Sequence, residues 1–463
     1  MAGGSPAPTV DDVRAESQKR GIDFYFAQFV DMYARPSAKL VPATYLDELV
    51  EEGVGFAGFA AGEMGQGPHQ PDLMARPDLN SFTPVPWQQD LGRFACNIFV
   101  EGEEWPYDPR TILRRQLERA AAKGYVFKIG LELEYFLVRQ KRDGSIVIAD
   151  PLDTLEKPCY DLKGLTRNYD FLSTVSRYVN ELGWGNYAND HEDANSQFEQ
   201  NFTYDDALTS CDRAIFFRYM VGTLAQQRDL IATFMPKPFG HLTGSGCHFH
   251  MSLWDVETDQ NLFLDEDDPK GLGLSELAYQ FIGGLKRHAK AYIGVTAPTV
   301  NSYKRLKESS WTQSGATWSP VYITYGYNNR TQMLRIPGPG RIEDRTIDGS
   351  CNPYLAATAV LGAGLDGIDN KLDAGDPNSD NLYEASEADL RSAGVEMLPA
   401  NLLEAVSELE KDEALRESLG TVANTDGLRQ DYVDYFADVK RGEWRRYHEQ
   451  VTPWEVREYL TRF

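Results

Sequence analysis

Two glutamates stand two residues apart in the stretch VFKIGLELEYFL, residues 126–137. Successive side chains of a strand point to opposite faces, so Glu132 and Glu134 would share one face, about 7 Å apart along the chain. The apolar residues between and around them would share the other face. A divalent cation relieves the repulsion between two neighbouring carboxylates. The solvated outer face of an amphipathic strand has the same pattern, so the pair alone leaves both interpretations open.

A second strand pattern, CHFHMSL, places histidines in the same way. His248, His250 and Ser252 would lie on one face, and the apolar residues that alternate with them would lie on the other. Two of the seven histidines of the chain stand here at positions i and i+2. The preceding run TGSG, residues 243–246, allows the backbone to approach a ligand closely. A pair of structural, hydrogen-bonded histidines is the alternative.

Arginines are concentrated in the run RTQMLRIPGPGRIEDR. Its charged residues of interest are Arg330, Arg335, Arg341, Glu343 and Arg345. The last three would share one strand face, downstream of a Gly-Pro-Gly turn. Arginine guanidinium groups bind carboxylates and phosphates through paired hydrogen bonds. A solvated ladder of salt bridges is the alternative.

Two more acids, Glu192 and Glu199, stand seven residues apart in HEDANSQFE. Carboxylates together with a histidine can hold divalent metal, and arginines can hold a phosphate and an acidic substrate. This combination predicts phosphoryl transfer onto a carboxylate, a reaction in which catalysis is mostly positioning and charge neutralisation. The chain has no GxxxxGK[ST] run, so the pattern is not that of a P-loop enzyme.

Composition limits the classes of partner. The 463 residues include 46 Lys plus Arg and 70 Asp plus Glu, which gives a net charge of −24. Such a surface repels phosphate backbones and anionic lipid, so we expect no nucleic-acid binding and no membrane docking. Five scattered cysteines without CxxC spacing indicate reduced thiols, and no signal pattern precedes the first motif. We therefore expect a cytoplasmic enzyme.

The elements that position these residues form two domains, because the chain is too long for one ordinary core. After a loose lead-in over residues 1–20, strand patterns at 22–31, 38–41 and 94–100 make the first third β-rich. A boundary falls near residue 106, where Asp108 is a helix N-cap and Pro109 occupies the first turn. Strands and helices then alternate without a regular βα repeat, which favours an α+β fold.

The motifs, in this order, resemble those of the glutamine synthetase family from about residue 22 to about residue 440. GLELE and HEDANSQFE resemble the family's two metal motifs. TGSGCHFHMSLW, preceded by MPKP, resembles its glutamate and ATP strand. NSYKRL, NNRTQMLRIP, RIEDR and CNPYLA resemble the remaining binding segments.

The resemblance implies a small N-terminal β-grasp domain over residues 20–106. A larger catalytic α+β domain over residues 107–463 would bind ATP, metal and glutamate. It also implies ring-shaped homo-oligomers, usually dodecamers, in which neighbouring subunits share each active site.

The resemblance further implies two ions per active site, Mg²⁺ or Mn²⁺. The ligands of one ion would be Glu134, Glu192 and Glu199. The ligands of the other, nearer the ATP phosphates, would be Glu132, His248 and Glu343.

Substrate contacts also follow from the resemblance. The nucleotide would contact His250, Ser252 and Tyr204, with its phosphates on Arg335 and Arg341. Glutamate and its developing γ-phosphate would contact Gly244, Arg305, Arg330 and Arg345, the last two acting in catalysis. The implied mechanism is attack of the glutamate γ-carboxylate on ATP, followed by attack of an amine on γ-glutamyl phosphate.

Three positions depart from the family pattern, and they bear on the choice of substrate. The family's flap glutamate, which shields the intermediate and helps to deprotonate ammonium, corresponds to Trp318, two residues before Pro320. The ammonium-binding aspartate corresponds to Ala57 in the run FAGFA. The asparagine before GSG corresponds to Thr243.

The loss of two acids should weaken a site for bare ammonium. The indole of Trp318, with Ala57 and Phe59 nearby, would suit a cation that carries a methyl group. The pattern resembles the γ-glutamylmethylamide synthetase branch of the family. The resulting hypothesis is ligation of L-glutamate and methylamine with ATP, giving γ-glutamylmethylamide, ADP and phosphate.

Other substrates and roles stay open. Ammonia would remain the substrate if the flap were remodelled and a base such as Glu308 were supplied elsewhere, and a larger amine is a further possibility. A non-catalytic member of the family would normally lose metal ligands, whereas all six positions carry ligand residues here.

Overall fold

The computed structural model describes residues 7–307, 312, 314–315, 318–423 and 429–463. The helices are α1 Val10–Arg20, α2 Leu46–Glu51, α3 Pro109–Ala122, α4 Leu162–Arg167, α5 Tyr169–Glu181, α6 Ala207–Gln226, α7 Glu276–Thr296, α8 Ser302–Arg305, α9 Pro353–Asp369, α10 Glu387–Ser392, α11 Leu402–Leu409, α12 Glu413–Leu419, α13 Tyr432–His448 and α14 Pro453–Tyr459.

The strands are β1 Phe24–Val30, β2 Pro36–Pro42, β3 Val54–Phe56, β4 Leu73–Pro77, β5 Thr83–Pro84, β6 Leu91–Val100, β7 Glu103–Glu104, β8 Tyr125–Gln140, β9 Ile146–Ile148, β10 Asn186–His191, β11 Gln197–Phe202, β12 Asp205–Asp206, β13 Ile231–Thr233, β14 Cys247–Asp255, β15 Tyr325–Tyr327, β16 Leu334–Gly338, β17 Arg341–Asp344, β18 Thr421–Ala423 and β19 Arg429–Asp431.

Helix α1 contradicts the prediction of a loose lead-in. Thr9 and Asp12 form a capping box, and Gly21 ends the helix in the left-handed conformation. Val13 is buried in the core of the N-terminal sheet, which holds the helix in place. Both end signals stand in the sequence, but the helix buries only Val13 and Ser17, so its apolar face is too narrow to show as a periodic pattern.

The N-terminal sheet is mixed, in the order β2-β1-β6-β4-β3. Strands β1 and β6 pair in parallel, and β2 pairs antiparallel with β1. The three strands predicted for this part of the chain are confirmed. The sheet encloses a core of its own that includes Tyr25, Phe94 and Ile98.

The larger sheet has the order β10-β11-β8-β14-β17-β16-β15, with β8 near its centre. One face of β8 is buried under helices, and its apolar residues Phe127, Ile129, Leu131 and Leu133 are at most 3% exposed. Helices α7 and α9 belong to the same core. The α+β fold class is confirmed. None of the helices among the described residues is long and apolar enough to cross a membrane.

Helix α3 follows the N-terminal sheet and connects it to the larger part of the chain. Asp108 accepts hydrogen bonds from the amides of Arg110 and Thr111, as its predicted N-cap role requires. Buried Arg110 donates to Asp212 on α6 at 2.9–3.0 Å and to Asp78 of the N-terminal part at 2.8 Å. The domain boundary between residues 106 and 107 stays a prediction.

Candidate active site

Three adjacent strands bring the predicted chemical groups to one face of the larger sheet. In the antiparallel register of β8 and β14, Glu132 lies opposite His248. In the register of β14 and β17, His250 lies opposite Glu343. The apolar residues of β8 and β14 pack on the other face, so the predicted division of polar and apolar faces is confirmed for both strands.

A cavity of about 580 Å³ opens on this face. It brings together most of the predicted site residues, from segments that are far apart in the sequence. Those that line it are Glu132, Glu134, Glu192, Glu199, Thr243, Gly244, His248, His250, Arg305, Trp318, Arg330, Arg335, Arg341 and Arg345. Glu343 lies beside it and is fully buried.

Two groups of side chains in the cavity have the composition of a metal site. Each residue of the first group offers one ligand atom within 4.8 Å of the others: Glu132, His248 and Glu343. The second group meets the same limit: Glu134, Glu199 and His248. Nδ1 of His248 is 3.4 Å from a carboxylate oxygen of Glu132, and its Nε2 is 3.7 Å from one of Glu134. The imidazole of His248 therefore lies between the carboxylates of Glu132 and Glu134 and belongs to both groups.

The carboxyl groups differ in their electrostatic surroundings. Burial and the neighbouring Glu134 raise the pKa of Glu192 to about 8. Burial and Glu132 raise the pKa of Glu199 well above its usual value. Burial raises the pKa of Glu132, but the adjacent imidazoles of His248 and His250 outweigh burial and lower it. A divalent cation would stabilise the ionised form of this crowded set, and carboxylate oxygen with imidazole nitrogen is a donor set that suits Mg²⁺ or Mn²⁺.

Glu343 is also held by arginines. Arg345 donates to one of its carboxylate oxygens at 2.6 Å, and Arg335 donates to the other at 2.7 Å. Burial opposes ionisation, but the positive charge of Arg345 and its neighbours lowers the pKa of Glu343 to about 2. Nε of Arg345 is buried without a hydrogen-bond partner among the described residues. This part of the cavity thus carries fixed positive charge and an unused donor.

The glycines of TGSG are required by close packing. A Cβ on Gly244 would lie 2.5 Å from the backbone oxygen of Pro236 and 3.0 Å from the Arg305 side chain. A Cβ on Gly246 would lie 2.5 Å from Nε2 of His248. The backbone at these glycines therefore lies close to other protein atoms, among them those of the site residues Arg305 and His248. The predicted close approach of this backbone to a ligand stays a prediction.

Trp318 lines the cavity, as its alignment with the flap position predicted. Its φ is +48°, in the left-handed region that a bulky side chain seldom adopts. Its Nε1 is buried without a hydrogen-bond partner among the described residues. Glu308, the alternative base, lies outside the described residues.

Besides Glu343, three predicted residues do not line the cavity within this chain. Ala57 begins a turn of the N-terminal part, where Phe59 is 63% exposed. Tyr204 is 53% exposed, with its ring 6.2 Å from that of Trp254. Ser252 is buried and accepts a hydrogen bond from Nε1 of Trp254 at 2.8 Å. Their roles stay predictions.

Tyr160 and Asp193 are among the lining residues of the cavity that sequence reasoning missed. Tyr160 has a φ of +63°, and burial raises the pKa of its hydroxyl to about 12. The Asp193 carboxylate accepts hydrogen bonds from the hydroxyls of Thr243 and Ser314. Asp193 stands inside a motif that had been identified, next to Glu192, so its position was available as a signal. Nothing in the local sequence marked Tyr160.

The chain matches the model of the glutamine synthetase catalytic domain over residues 106–459. It is 47% identical to the glutamate–methylamine ligase of Methyloversatilis universalis over 443 residues, which cover 96% of this chain and 97% of that protein. It is 41% identical to the glutamine synthetase of Rhizobium meliloti over 444 residues, which cover 96% of this chain and 98% of that protein.

Solved structures give the same result. The chain superimposes on the ADP complex of GmaS in its conformation 1 with a TM-score of 0.88 and 46% sequence identity, covering 97% of this chain and 99% of that one. Unliganded GmaS gives a TM-score of 0.86 at 44% identity, with the same coverage. The protein described here belongs to the glutamine synthetase family.

Proposed function

We propose that this enzyme ligates L-glutamate and methylamine with ATP, through γ-glutamyl phosphate, to give γ-glutamylmethylamide, ADP and phosphate. The observation that carries the proposal is the position of Trp318 on the cavity that holds the carboxylate and arginine groups. The 47% identity to a glutamate–methylamine ligase over nearly the whole chain supports it independently.

The first step needs ATP and glutamate to meet with their negative charges balanced. Glu134, Glu192 and Glu199 would hold one Mg²⁺ or Mn²⁺, and the second would be held by Glu132, His248 and Glu343. Bound there, the ions would neutralise charge on the transferring phosphoryl group. The cavity supports five of these six ligands, because Glu132, His248 and Glu343 form one close group and Glu134 and Glu199 form another with the same His248. Glu192 lines the same cavity outside these two groups.

Arginines would orient the substrates. Arg335 and Arg341 would hold the ATP phosphates, with His250, Ser252 and Tyr204 on the nucleotide. Arg305, Arg330 and Arg345, with the backbone of Gly244, would hold glutamate and the phosphate that forms on it. Paired donors of this kind fix both the position and the orientation of carboxylate and phosphate groups.

The second step needs an amine that reaches the acyl phosphate without water. An indole at position 318 excludes water and offers an apolar, π-rich surface to a methylammonium ion. The carboxylate that the family flap supplies is absent at this position. Methylamine therefore gains contacts at this position that ammonia lacks.

The remaining amine contacts would come from a neighbouring subunit. We propose that the chain forms a homo-oligomeric ring, with twelve subunits the expected number, in which Ala57 faces the cavity of the adjacent copy. The exposed position of Ala57 and Phe59, away from the cavity of their own chain, supports this arrangement.

The test is phosphate release by the purified full-length chain with ATP, L-glutamate and Mg²⁺, comparing methylammonium, ammonium and ethylammonium. We expect kcat/KM to be highest for methylammonium, and mass spectrometry of the product to show γ-glutamylmethylamide. Equal or better turnover of ammonium would overturn the methylamine assignment and leave a glutamine synthetase. Absence of turnover with every amine would overturn the enzymatic function.

A further inference from the structure

The acidic turn that joins β10 to β11 is held together by one buried carboxylate from a distant loop. Asp153 lies between β9 and α4, and its side chain is fully buried. It accepts hydrogen bonds from Nε2 of His191 at 2.7 Å, from the Ser196 amide at 2.7 Å and from Nδ2 of Asn195 at 3.1 Å. All three donors belong to residues 191–197, so one side chain gathers the whole turn.

His191, which binds Asp153, also forms hydrogen bonds with the backbone of Glu192 and of Tyr160. Its Nδ1 donates to the carbonyl of Glu192 at 2.8 Å, and its own carbonyl accepts from the amide of Tyr160 at 2.9 Å. The ring is fully buried and fits tightly, since a Cβ on Gly164 would lie 2.5 Å from it.

The turn itself needs such support. Ser196 has a φ of +58°, a left-handed conformation that favours glycine, and its amide donates to Asp153. Gln197 follows directly, and its side-chain amide donates to Glu134 at 3.1 Å and to the carbonyl of Gly244 at 3.0 Å. The turn therefore controls where Glu192 stands and how Glu134 is held.

We propose that Asp153, acting through His191 and the Ser196 amide, is a positioning residue for Glu192 and Glu134, which together with Glu199 would hold one metal ion. The inference rests on the proposed function, in which Glu192 is a metal ligand. The same unit places Tyr160 at the cavity, because the Tyr160 amide is bound to the His191 carbonyl. Asp153 is not among the lining residues of the cavity and acts on the backbone that carries the proposed ligands.

Asp153→Asn is the sharpest variant, since it keeps the size of the side chain but replaces one acceptor oxygen by a donor. Mn²⁺ binding to the full-length chain without substrates is followed by electron paramagnetic resonance, which counts free Mn²⁺ during titration. Loss of a group that supports a metal ligand typically weakens binding about 10- to 100-fold. We expect that loss for one of the two ions, and a change below about twofold for the other.

A matched control is His288→Asn. His288 is also a buried histidine between two carboxylates, Asp412 at 2.6 Å and Asp366 at 3.0 Å, but it does not line the cavity. This variant should lower the thermal midpoint and leave both Mn²⁺ affinities as in the wild type. If Asp153 positions the ligands, only Asp153→Asn should have a lowered Mn²⁺ affinity. If the loss reflects general destabilisation, both variants should show the same change in Mn²⁺ affinity.

If Asp153→Asn does not fold, Asn195→Ala removes a single donor of the same unit and should still weaken one ion about threefold. Wild-type Mn²⁺ affinities in every folded variant would overturn the inference, as would equal losses for both ions in Asp153→Asn and His288→Asn. These measurements use no amine, so they are independent of the substrate assignment. A wild-type enzyme that fails to use methylammonium would overturn the proposed function and leave the metal result standing.

Discussion

Trp318 lines the cavity and contributes an indole in a left-handed backbone conformation. Trp318→Glu restores a negative charge that attracts bare ammonium and removes the π surface that attracts methylammonium. We expect kcat/KM for ammonium over methylammonium to rise about tenfold, which corresponds to about 1.4 kcal/mol. Trp318→Phe keeps an aromatic face and should change the ratio far less. An unchanged ratio in Trp318→Glu would show that this residue does not select the amine.

Gly244 is a second residue whose effect is local. A Cβ there would meet the Pro236 carbonyl at 2.5 Å, so Gly244→Ala must displace the loop that carries the proposed glutamate contacts. We expect KM for glutamate to rise at least about tenfold with the fold retained. Gly222 in α6 is the control, because a Cβ there meets nothing within 4 Å, and Gly222→Ala should stabilise the chain by up to about 1 kcal/mol. Steady-state kinetics of both variants measures the contrast.

At the scale of elements, helix α3 joins the N-terminal sheet to the larger core through Arg110. The Arg110 side chain is 3% exposed, and its guanidinium pairs with Asp78 and Asp212. Arg110→Met leaves both carboxylates without their cation, so we expect a loss of about 3–5 kcal/mol in the free energy of unfolding. Arg114→Met on the same helix breaks a more exposed pair with Glu104 and should cost less than about 1 kcal/mol. Equal losses in urea denaturation would refute this ranking.

His288 joins three elements, since it lies on α7 between Asp366 of α9 and Asp412 at the start of α12. Burial lowers its pKa, but the hydrogen bonds to Asp412 and Asp366 outweigh burial and raise it above 6.5. A histidine with a raised folded-state pKa contributes stability that is fully present below the unfolded value and is lost as pH rises through the folded value. His288→Asn should therefore lower the thermal midpoint most near pH 6.

The expected size of that effect is about 1–3 kcal/mol at low pH, typical of hydrogen bonds to charged groups. Thermal midpoints of wild type and variant, measured from pH 5.5 to pH 9, should converge as pH rises. A difference that is independent of pH would mean that His288 stabilises these helices by packing alone.

At the scale of the whole molecule, the proposed ring makes each active site a product of two chains. Glu134→Gln removes a proposed metal ligand, and Ala57→Arg blocks the proposed contribution of the N-terminal part to the neighbour. Each variant alone should be inactive. In a head-to-tail ring, random co-assembly of equal amounts gives about one site in four with two intact halves, so about a quarter of wild-type activity should return. No recovery in co-expressed, mixed rings would contradict sharing of the site.

The sequence by itself determined which polar side chains share the face of the larger sheet on which the cavity opens. The alternation of residues in β8 and β14 placed Glu132, Glu134, His248 and His250 on one side, because a strand has a fixed period of two. The sequence also predicted the N-cap of α3 and three strands of the N-terminal part. The caps of α1 are present in the sequence as well and would have predicted that helix.

Only the tertiary structure decided which of these groups meet and what supports them. Whether Glu199 lies beside Glu134 depends on the pairing of β11 with β8, a contact between residues more than 60 positions apart. Asp153, Tyr160 and Arg110 showed no local pattern, since each acts through hydrogen bonds to distant backbone or side chains. Local periodicity specifies a face of a strand, whereas a buried polar network is specified only when the chain has folded around it.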